Sequence, residues 1–546
     1  MIEASERGTA ISLGLLTFAA TAYFFHQQNG IPNPNETARV YLAMSIVDER
    51  TLSIDTPFRK YGPVWDRSVV NGKSYSDKAP GVAFLAVPFY LAAKGIASVF
   101  GAELSLRAVH FITRLPFLAL NALFVATLFL FLRPYAPEAR IRAAVVLAYA
   151  FGTIAFTYAP LLFSHQHAAV LVFGGFALIE SARRAGTMMS VTRALIAGFA
   201  LGMSFAVEYP VLFLLVVIGA YALLTVRPWT RIALVVAGAA IPVGLTLYYN
   251  ATAFGSPFKT GYSHLASSFA AIHAKGLFGV TTPTWDAFAG NFFSLNRGLF
   301  VLSPFLAFAI PGFWSLARKA GARAVFWTCL AATAAYVYFV SSFGYWVGGD
   351  STGPRHFTPV IPFLLVPVAC FANALSSMRF RFPSVWFLAA AISSVVLVQF
   401  ASIPYPYFEP RIANPYRDFA LDFWRDGLVP TNPGMWFGLE GMASAIPFAA
   451  LIAIVLRRIG DVSEFRMVRF GAALIAALGF LYVLAAKPQA TDQLSRVESA
   501  RYRADYTPRP KSEGAPGGPV AQIKSGNAAA AGGLVNEALA AYRKVP

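Results

Sequence analysis

Three short stretches hold most of the side chains in this sequence that could do chemistry. The first, PNETAR at 34–39, opens a helical pattern carried by Val40, Leu42, Ala43, Ile46 and Val47. Glu36 and Arg39 stand three apart in its first turn and are expected to project toward the same side. A carboxylate there can serve as a base; it can equally complement the positive end of the helix dipole. The second, YSDKAPG at 75–81, sets Asp77 and Lys78 just before a Pro-Gly turn that leads into an apolar run. An ammonium held at lipid headgroup depth suits a phosphate, although a lysine that only snorkels to water has the same pattern. The third, GYWVGGDSTGPRH at 344–356, is the most informative. Gly348, Gly349 and Gly353 let backbone approach a ligand, Asp350 supplies charge, and Arg355 offers a planar fork for a phosphate beside His356. A plain turn would not need Trp346, Asp350, Arg355 and His356 within eleven residues.

Other polar residues sit near the same kind of boundary. His165 and His167 follow an apolar run in LLFSHQHAA; spaced i and i+2 they do not share a helix face, so capping or substrate contact is expected rather than a metal site. Tyr262 and His264 lie in FGSPFKTGYSHL, and Glu208 is a costly carboxylate ahead of Pro210.

The elements that must position these residues are membrane helices. The chain has 546 residues, 57% hydrophobic and 13% charged, too apolar for a protein with a wetted surface all round. Apolar runs recur along nearly its whole length, and in lipid each backbone amide must be satisfied within its own segment, so the runs are expected to be α-helices. Thirteen spans are read: 9–26, 108–132, 143–162, 167–182, 192–207, 211–226, 232–249, 298–316, 324–342, 357–375, 385–403, 438–456 and 470–486. The first reads as a retained signal-anchor. Arg133, Arg140, Arg142, Arg183, Arg184, Arg193, Arg227, Arg231, Arg318, Lys319, Arg323, Arg379, Arg381, Arg457, Arg458, Arg466 and Arg469 then fall on one side, the cytoplasm by the positive-inside rule. The long loops 27–107, 250–297 and 404–437, with 343–356, face the periplasm or cell exterior. Residues 82–100 are apolar enough to span, yet Pro88 and Lys94 also suit a helix lying in the interface. The net charge of +18 is spread through short loops, so it speaks for topology and against a nucleic-acid partner. Cys329 and Cys370 fall inside apolar runs and carry no disulfide argument. Residues 487–546 turn to Pro, Gly, Ala, Lys and Ser and read as a disordered tail with one short helix at 535–542. Residues 1–486 read as one membrane domain.

The order of these pieces resembles the GT-C superfamily of polyprenyl-phosphate-sugar-dependent glycosyltransferases, close to the family 39 protein mannosyltransferases and the lipid A aminoarabinose transferases. PNETAR resembles the family's Asp-Glu-x-Arg element, YSDKAP its Glu-Lys-Pro-Pro element, and WVGGDSTGPRH a loop of bacterial members. The resemblance covers most of residues 9–375. It implies an all-α polytopic fold with interfacial helices in a long first outer loop, in a bacterial inner membrane, which lays 82–100 flat. It also implies a sugar moved from a lipid-linked donor to a glycan, lipid or protein acceptor, with inversion. Lys78, Arg355 and Arg39 would hold the donor phosphate and Glu36 would be the base. Asp77, His165, His167, Tyr262, His264, Asp350 and His356 would contact substrate. Aligned on Arg39, Glu36 takes the family's Asp position; aligned the other way, Asn35 does. No cofactor or resident metal is expected, the donor being a substrate; a divalent ion stays open.

Two other readings remain at this point. A transporter or flippase of lipid-linked sugars would carry charged or broken spans along a midplane path, and a non-catalytic lipid-binding subunit would fit Asn35 in place of an acid. Tyr405, Tyr407, Phe408, Tyr416 and Trp424 are expected to stack on sugars or to rim the membrane.

Overall fold

The computed structural model describes residues 4–26, 31, 33–265, 270–276, 279–376 and 382–486, with 497, 500, 502, 537, 540 and 541 from the C-terminal stretch. Helices dominate, and the chain is an all-α polytopic membrane protein. Eight helices among the described residues are long and apolar enough to cross a membrane, with shorter apolar ones such as Val191–Val207 and Tyr209–Thr225 between them. Each of the thirteen stretches read from hydropathy falls on a helix or on helices in series. Leu15, Leu224 and Val236 keep exposed apolar side chains on these helices, as a lipid-facing surface requires.

Helix α1 (Ala4–Tyr23) starts at the end of the bundle that carries the basic loops. Its Glu6 pairs there with Arg142, and Arg133 lies 3.4 Å away. Arg140 reaches Glu464 at 2.6 Å, so the basic loops gather at one end of the bundle. Arg379 and Arg381 lie outside the described residues, as does most of the stretch read as a disordered tail. Of the short helix expected at 535–542, the described residues Glu537, Ala540 and Ala541 are helical.

The first outer loop is itself structured. Helix α2 (Pro34–Glu49) starts behind the Asn33 cap, whose side chain accepts the Asn35 N–H, with proline at the first helical position. After α3 (Asp55–Tyr61) comes a hairpin of β1 (Arg67–Val70) and β2 (Lys73–Ser76). Its turn, Asn71-Gly72, has φ of +50° and +75°, the conformation that matches strand twist in a two-residue loop. Because Arg67 pairs with Ser76, the next residues out, Asp66 and Asp77, face each other at the open end of the hairpin.

Helix α4 (Gly81–Val99) is among the eight apolar helices, but both its ends lie at the outer boundary. Gly81 packs against Ala206 and Val207, the outer end of α9 (Val191–Val207); a Cβ there would come 2.5 Å from the Ala206 carbonyl carbon. The other end passes through residues 100–105 into α5 (Leu106–Phe131), whose second turn carries His110 against Glu36. Both ends of α4 thus lie at the same end of the bundle, so it does not cross it. Asp48 of α2 anchors it through Tyr90 at 3.0 Å and Lys94 at 2.6 Å. Beyond α5, helices α6 (Ala139–Gly152) and α7 (Ile154–Tyr158) climb in series, and α8 (Ser164–Arg184) descends to Arg184, which donates to the Phe131 carbonyl.

Candidate active site

Five segments distant in sequence meet at one end of the bundle: the start of α2, the open end of the hairpin, the turn from α7 into α8, the end of α9, and the loop 344–356. The hairpin supplies Lys78, whose ammonium stands 3.1 Å from Asp66 and 3.2 Å from Asp77. The hairpin is moored by Ser68, donating to the Gly261 carbonyl at 2.7 Å, and by the Tyr249 hydroxyl on the Ser76 carbonyl at 2.8 Å. That mooring brings Tyr262 into the cluster, stacked on His273 with ring centres 4.5 Å apart.

From α2 comes Arg39. Its guanidinium donates to the Asn35 carbonyl at 2.8 Å, to the Asn35 side chain, and to the Ser164 hydroxyl at 3.1 Å. Ser164 in turn donates to Glu208, which also lies 3.4 Å from His165 Nδ1. The His165 and His356 rings meet edge to face at 5.0 Å. Next to His356, the Arg355 guanidinium lies over the Phe163 ring at 5.3 Å and makes no ion pair or hydrogen bond with any described residue.

Gly348 explains how the loop closes on this pair. Its φ is +71°, and a Cβ would fall 2.9 Å from Arg355 Nε and 3.3 Å from His356 Nε2. Arg297 fixes the loop from below. It is almost wholly buried and donates to the carbonyls of Val347 at 2.8 Å, Gly349 at 2.7 Å and Ser351. Burial pulls Arg297 down to about 10, still charged at neutral pH. The sequence signal for it was a single arginine ahead of an apolar run in FFSLNRGLF, which nothing distinguished from an interfacial cation.

Charges in the cluster are not evenly matched. Burial raises Asp77, and the neighbouring Asp66 raises it further while Lys78 pulls the other way. Burial also raises Glu208, against the lowering pull of Ser164, Arg39, Arg355 and Lys78. Burial thus weakens the charged form of both carboxyls, which stand beside the cationic side chains of Arg39 and Lys78. Arg39 Nε, Asp77 Oδ1, Arg355 Nε and His356 Nε2 are buried without partners.

Several expected site residues stand elsewhere. Glu36 and Arg39 do not project together. At 100° per residue Arg39 lies about 40° from Asn35 and about 60° the other way from Glu36, and it turns to Asn35. Glu36, with 0% exposure, accepts the Leu162 N–H at 2.7 Å and the Tyr407 hydroxyl, and lies 3.2 Å from His110 Nε2. Burial opposes its charge, but His110, Leu162 and Tyr407 together hold its carboxyl down at about 2. His167 is fully buried, stacked on Phe117 and bonded to the Leu161 carbonyl at 2.8 Å. His264 packs on Phe254, and Asp350 accepts from Tyr502 of the C-terminal stretch. Tyr405, Tyr407, Phe408 and Tyr416 are buried rather than rimming the membrane, and Trp424 donates to the Phe400 carbonyl at 2.9 Å. Their loop, 404–437, folds inward as a cap because Tyr407 and the backbone of Pro406 and Phe408 bond to the site's own segments.

No family model and no curated protein matches the chain. Among solved structures it is similar to an archaeal oligosaccharyltransferase AglB from Archaeoglobus fulgidus, in complex with an inhibitory peptide and a dolichol-phosphate. The TM-score is 0.40 at 11% identity, covering 93% of this chain and 61% of that one. A second similar structure, the Archaeoglobus fulgidus oligosaccharyltransferase in the apo form, gives 0.39 at 10% identity over 92% of this chain and 58% of that one. The chain thus spans about three fifths of the length of the structures it matches.

Proposed function

We propose that this protein is a membrane glycosyltransferase of the GT-C kind, moving a sugar from a polyprenyl-phosphate donor to a hydroxyl acceptor at the outer face of a bacterial inner membrane. The observation that carries the reading is the convergence of Arg39, Lys78 and Arg355, from three separate segments, around Glu208 and His165, with the Arg355 guanidinium in no ion pair among the described residues. The same three segments carry the PNETAR, YSDKAP and WVGGDSTGPRH motifs whose resemblance to that superfamily is described above.

In this reading the guanidinium of Arg355 and the nearby Arg39 grip the donor phosphate, and Lys78 neutralises charge on it as the bond to the sugar breaks. A carboxylate takes the acceptor's proton, and attack from the face opposite the phosphate inverts the anomeric carbon. Cationic stabilisation of the leaving phosphate and a positioned base each supply on the order of 10²–10⁴-fold. In this reading helices α4 and α2 border the site, and the prenyl chain of the donor would lie in the bilayer.

The test uses purified protein in lipid nanodiscs with labelled polyprenyl-phosphate hexoses and pentoses, scoring release or transfer of sugar against its translocation across proteoliposomes. Sugar release that Lys78→Ala and Arg355→Ala abolish supports the reading. Translocation without release would replace it with a flippase.

A further inference from the structure

We propose that Glu208, and not Glu36, is the group that takes the proton from the acceptor hydroxyl, an assignment that rests on the transferase reading above. A base must present an oxygen that the protein has not already engaged. Glu36 has none: Oε2 is taken by the Leu162 N–H and His110, and Oε1 by the Tyr407 hydroxyl, at 0% exposure. Asp66 and Asp77 both pair with Lys78, so each faces a cation that weakens it as a proton acceptor.

Glu208 keeps one oxygen unengaged among the described residues and makes no direct ion pair with a lysine or arginine there, although Arg39, Arg355 and Lys78 act on it from farther off. It lies on the extended residue between α9 and the turn Tyr209–Val211, so its side chain is aimed by the end of a packed helix. Its neighbours are an alcohol and an imidazole, Ser164 and His165, and both act on Oε2. Oε1 makes no hydrogen bond with any described residue. Through Ser164 the carboxylate is tied to Arg39, and so to the residues proposed to hold the donor phosphate. Asn35, beside Arg39, accepts from Arg39 and has no basic oxygen of its own. Burial also raises the affinity of Glu208 for a proton, which suits a base working near neutral pH.

In the step itself the acceptor oxygen forms its bond to the anomeric carbon, and the carbon–oxygen bond to the phosphate breaks. The bonding pair leaves with the phosphate, which becomes a polyprenyl phosphate with one more negative charge, and the hydroxyl proton goes to Glu208. From there it passes by way of His165 to water, so one proton is released per sugar moved.

The experiment compares wild type, Glu208→Gln, Glu208→Ala and Glu36→Gln. All are assayed for release of labelled sugar from the polyprenyl-phosphate donor, with water and with hydroxyl acceptors, and for binding of geranylgeranyl phosphate. We expect Glu208→Gln to lose about 10²–10⁴-fold in turnover while its affinity for geranylgeranyl phosphate stays within about threefold of wild type. Formate, a small diffusible carboxylate, should restore turnover of Glu208→Ala by at least about tenfold; a side chain with a merely structural role would not respond to it. Wild-type turnover in Glu208→Gln overturns the assignment. So does loss of turnover in a folded Glu36→Gln that still binds the probe while Glu208→Gln stays active. If wild type releases no sugar from any donor, the transferase reading itself falls and the assignment goes with it, a result distinct from an active enzyme that tolerates Glu208→Gln. Should Glu208→Ala fail to fold, the isosteric Gln variant decides alone.

Discussion

If Glu36 holds the scaffold rather than the substrate, replacing it should show in stability. Its carboxylate joins α2, α5, the turn before α8 and the outer cap through His110, the Leu162 N–H and Tyr407. The carboxyl sits at about 2 against an ordinary 4.5, and at about 1.4 kcal/mol for each tenfold change in proton affinity that is about 3 kcal/mol of stability. The sign follows from the direction: the contribution is fully present above pH 4.5 and is lost as pH falls toward about 2. Glu36→Gln keeps an oxygen for Leu162 and loses the attraction to His110, at a cost of about 1–2 kcal/mol. Glu36→Ala strands the Leu162 N–H, the Tyr407 hydroxyl and His110 in a dry interior, at about 3–5 kcal/mol. Cys329 and Cys370 are buried free thiols and so are built-in reporters of unfolding. With a maleimide dye that fluoresces on reaching them, Glu36→Ala should melt roughly 4–8 °C below wild type and Glu36→Gln roughly 1–3 °C below. Equal melting of Glu36→Ala and wild type would refute the scaffold role.

Three further outcomes test the cationic cluster and its supports. Arg355→Ala should weaken binding of geranylgeranyl phosphate by roughly 10–100-fold with little change in melting, since the guanidinium makes no hydrogen bond or ion pair among the described residues and gives up only its contact with the Phe163 ring; isothermal titration reads this. Gly348→Ala should lower turnover by displacing Arg355 and His356, because its Cβ would arrive 2.9 Å and 3.3 Å from them at a φ of +71°; steady-state assays should show a raised KM for the donor. Arg297→Met should free the loop 344–356 by removing donors to three backbone carbonyls, so limited proteolysis should cut there sooner than in wild type.

The helices were legible in the sequence because lipid leaves the backbone no alternative: each apolar run had to satisfy its own amides, and each falls on a helix. Lys78, Arg355 and Arg39 were legible because unlike charges and glycines near a membrane are expensive without a use. Which acid does what was not legible. Side-chain direction in α2 turns on a difference of about 20° between two neighbours of Arg39, and the deciding partners, Ser164, His110 and Tyr407, lie more than seventy residues away along the chain. The hairpin was not read from the sequence: its strands are four residues each, too short for alternation to stand out in an apolar chain. The aromatic loop 404–437 has the composition of an interfacial belt, and the bonds that turn it inward, from Tyr407 to Glu36 and to the Pro406 and Phe408 carbonyls, come from residues far away in sequence.

If the cluster binds an anionic ligand as proposed, its unpaired atoms would contribute to that binding as well as its charge. A buried polar atom without a partner costs about 1–3 kcal/mol, and a fold under selection for stability alone would remove such atoms or pair them. Here Arg39 Nε, Asp77 Oδ1, Arg355 Nε and His356 Nε2 stay unpaired within one set of residues that already touch or act on one another. Three of the four belong to cationic or imidazole side chains able to donate. An anion arriving among them would recover hydrogen bonds that the protein has foregone, so its binding would draw on energy set aside in folding. The same reasoning sets Glu36 apart: both its oxygens are engaged, so a substrate hydroxyl would have to break a bond there before it could make one. At Glu208 an oxygen is still free to accept.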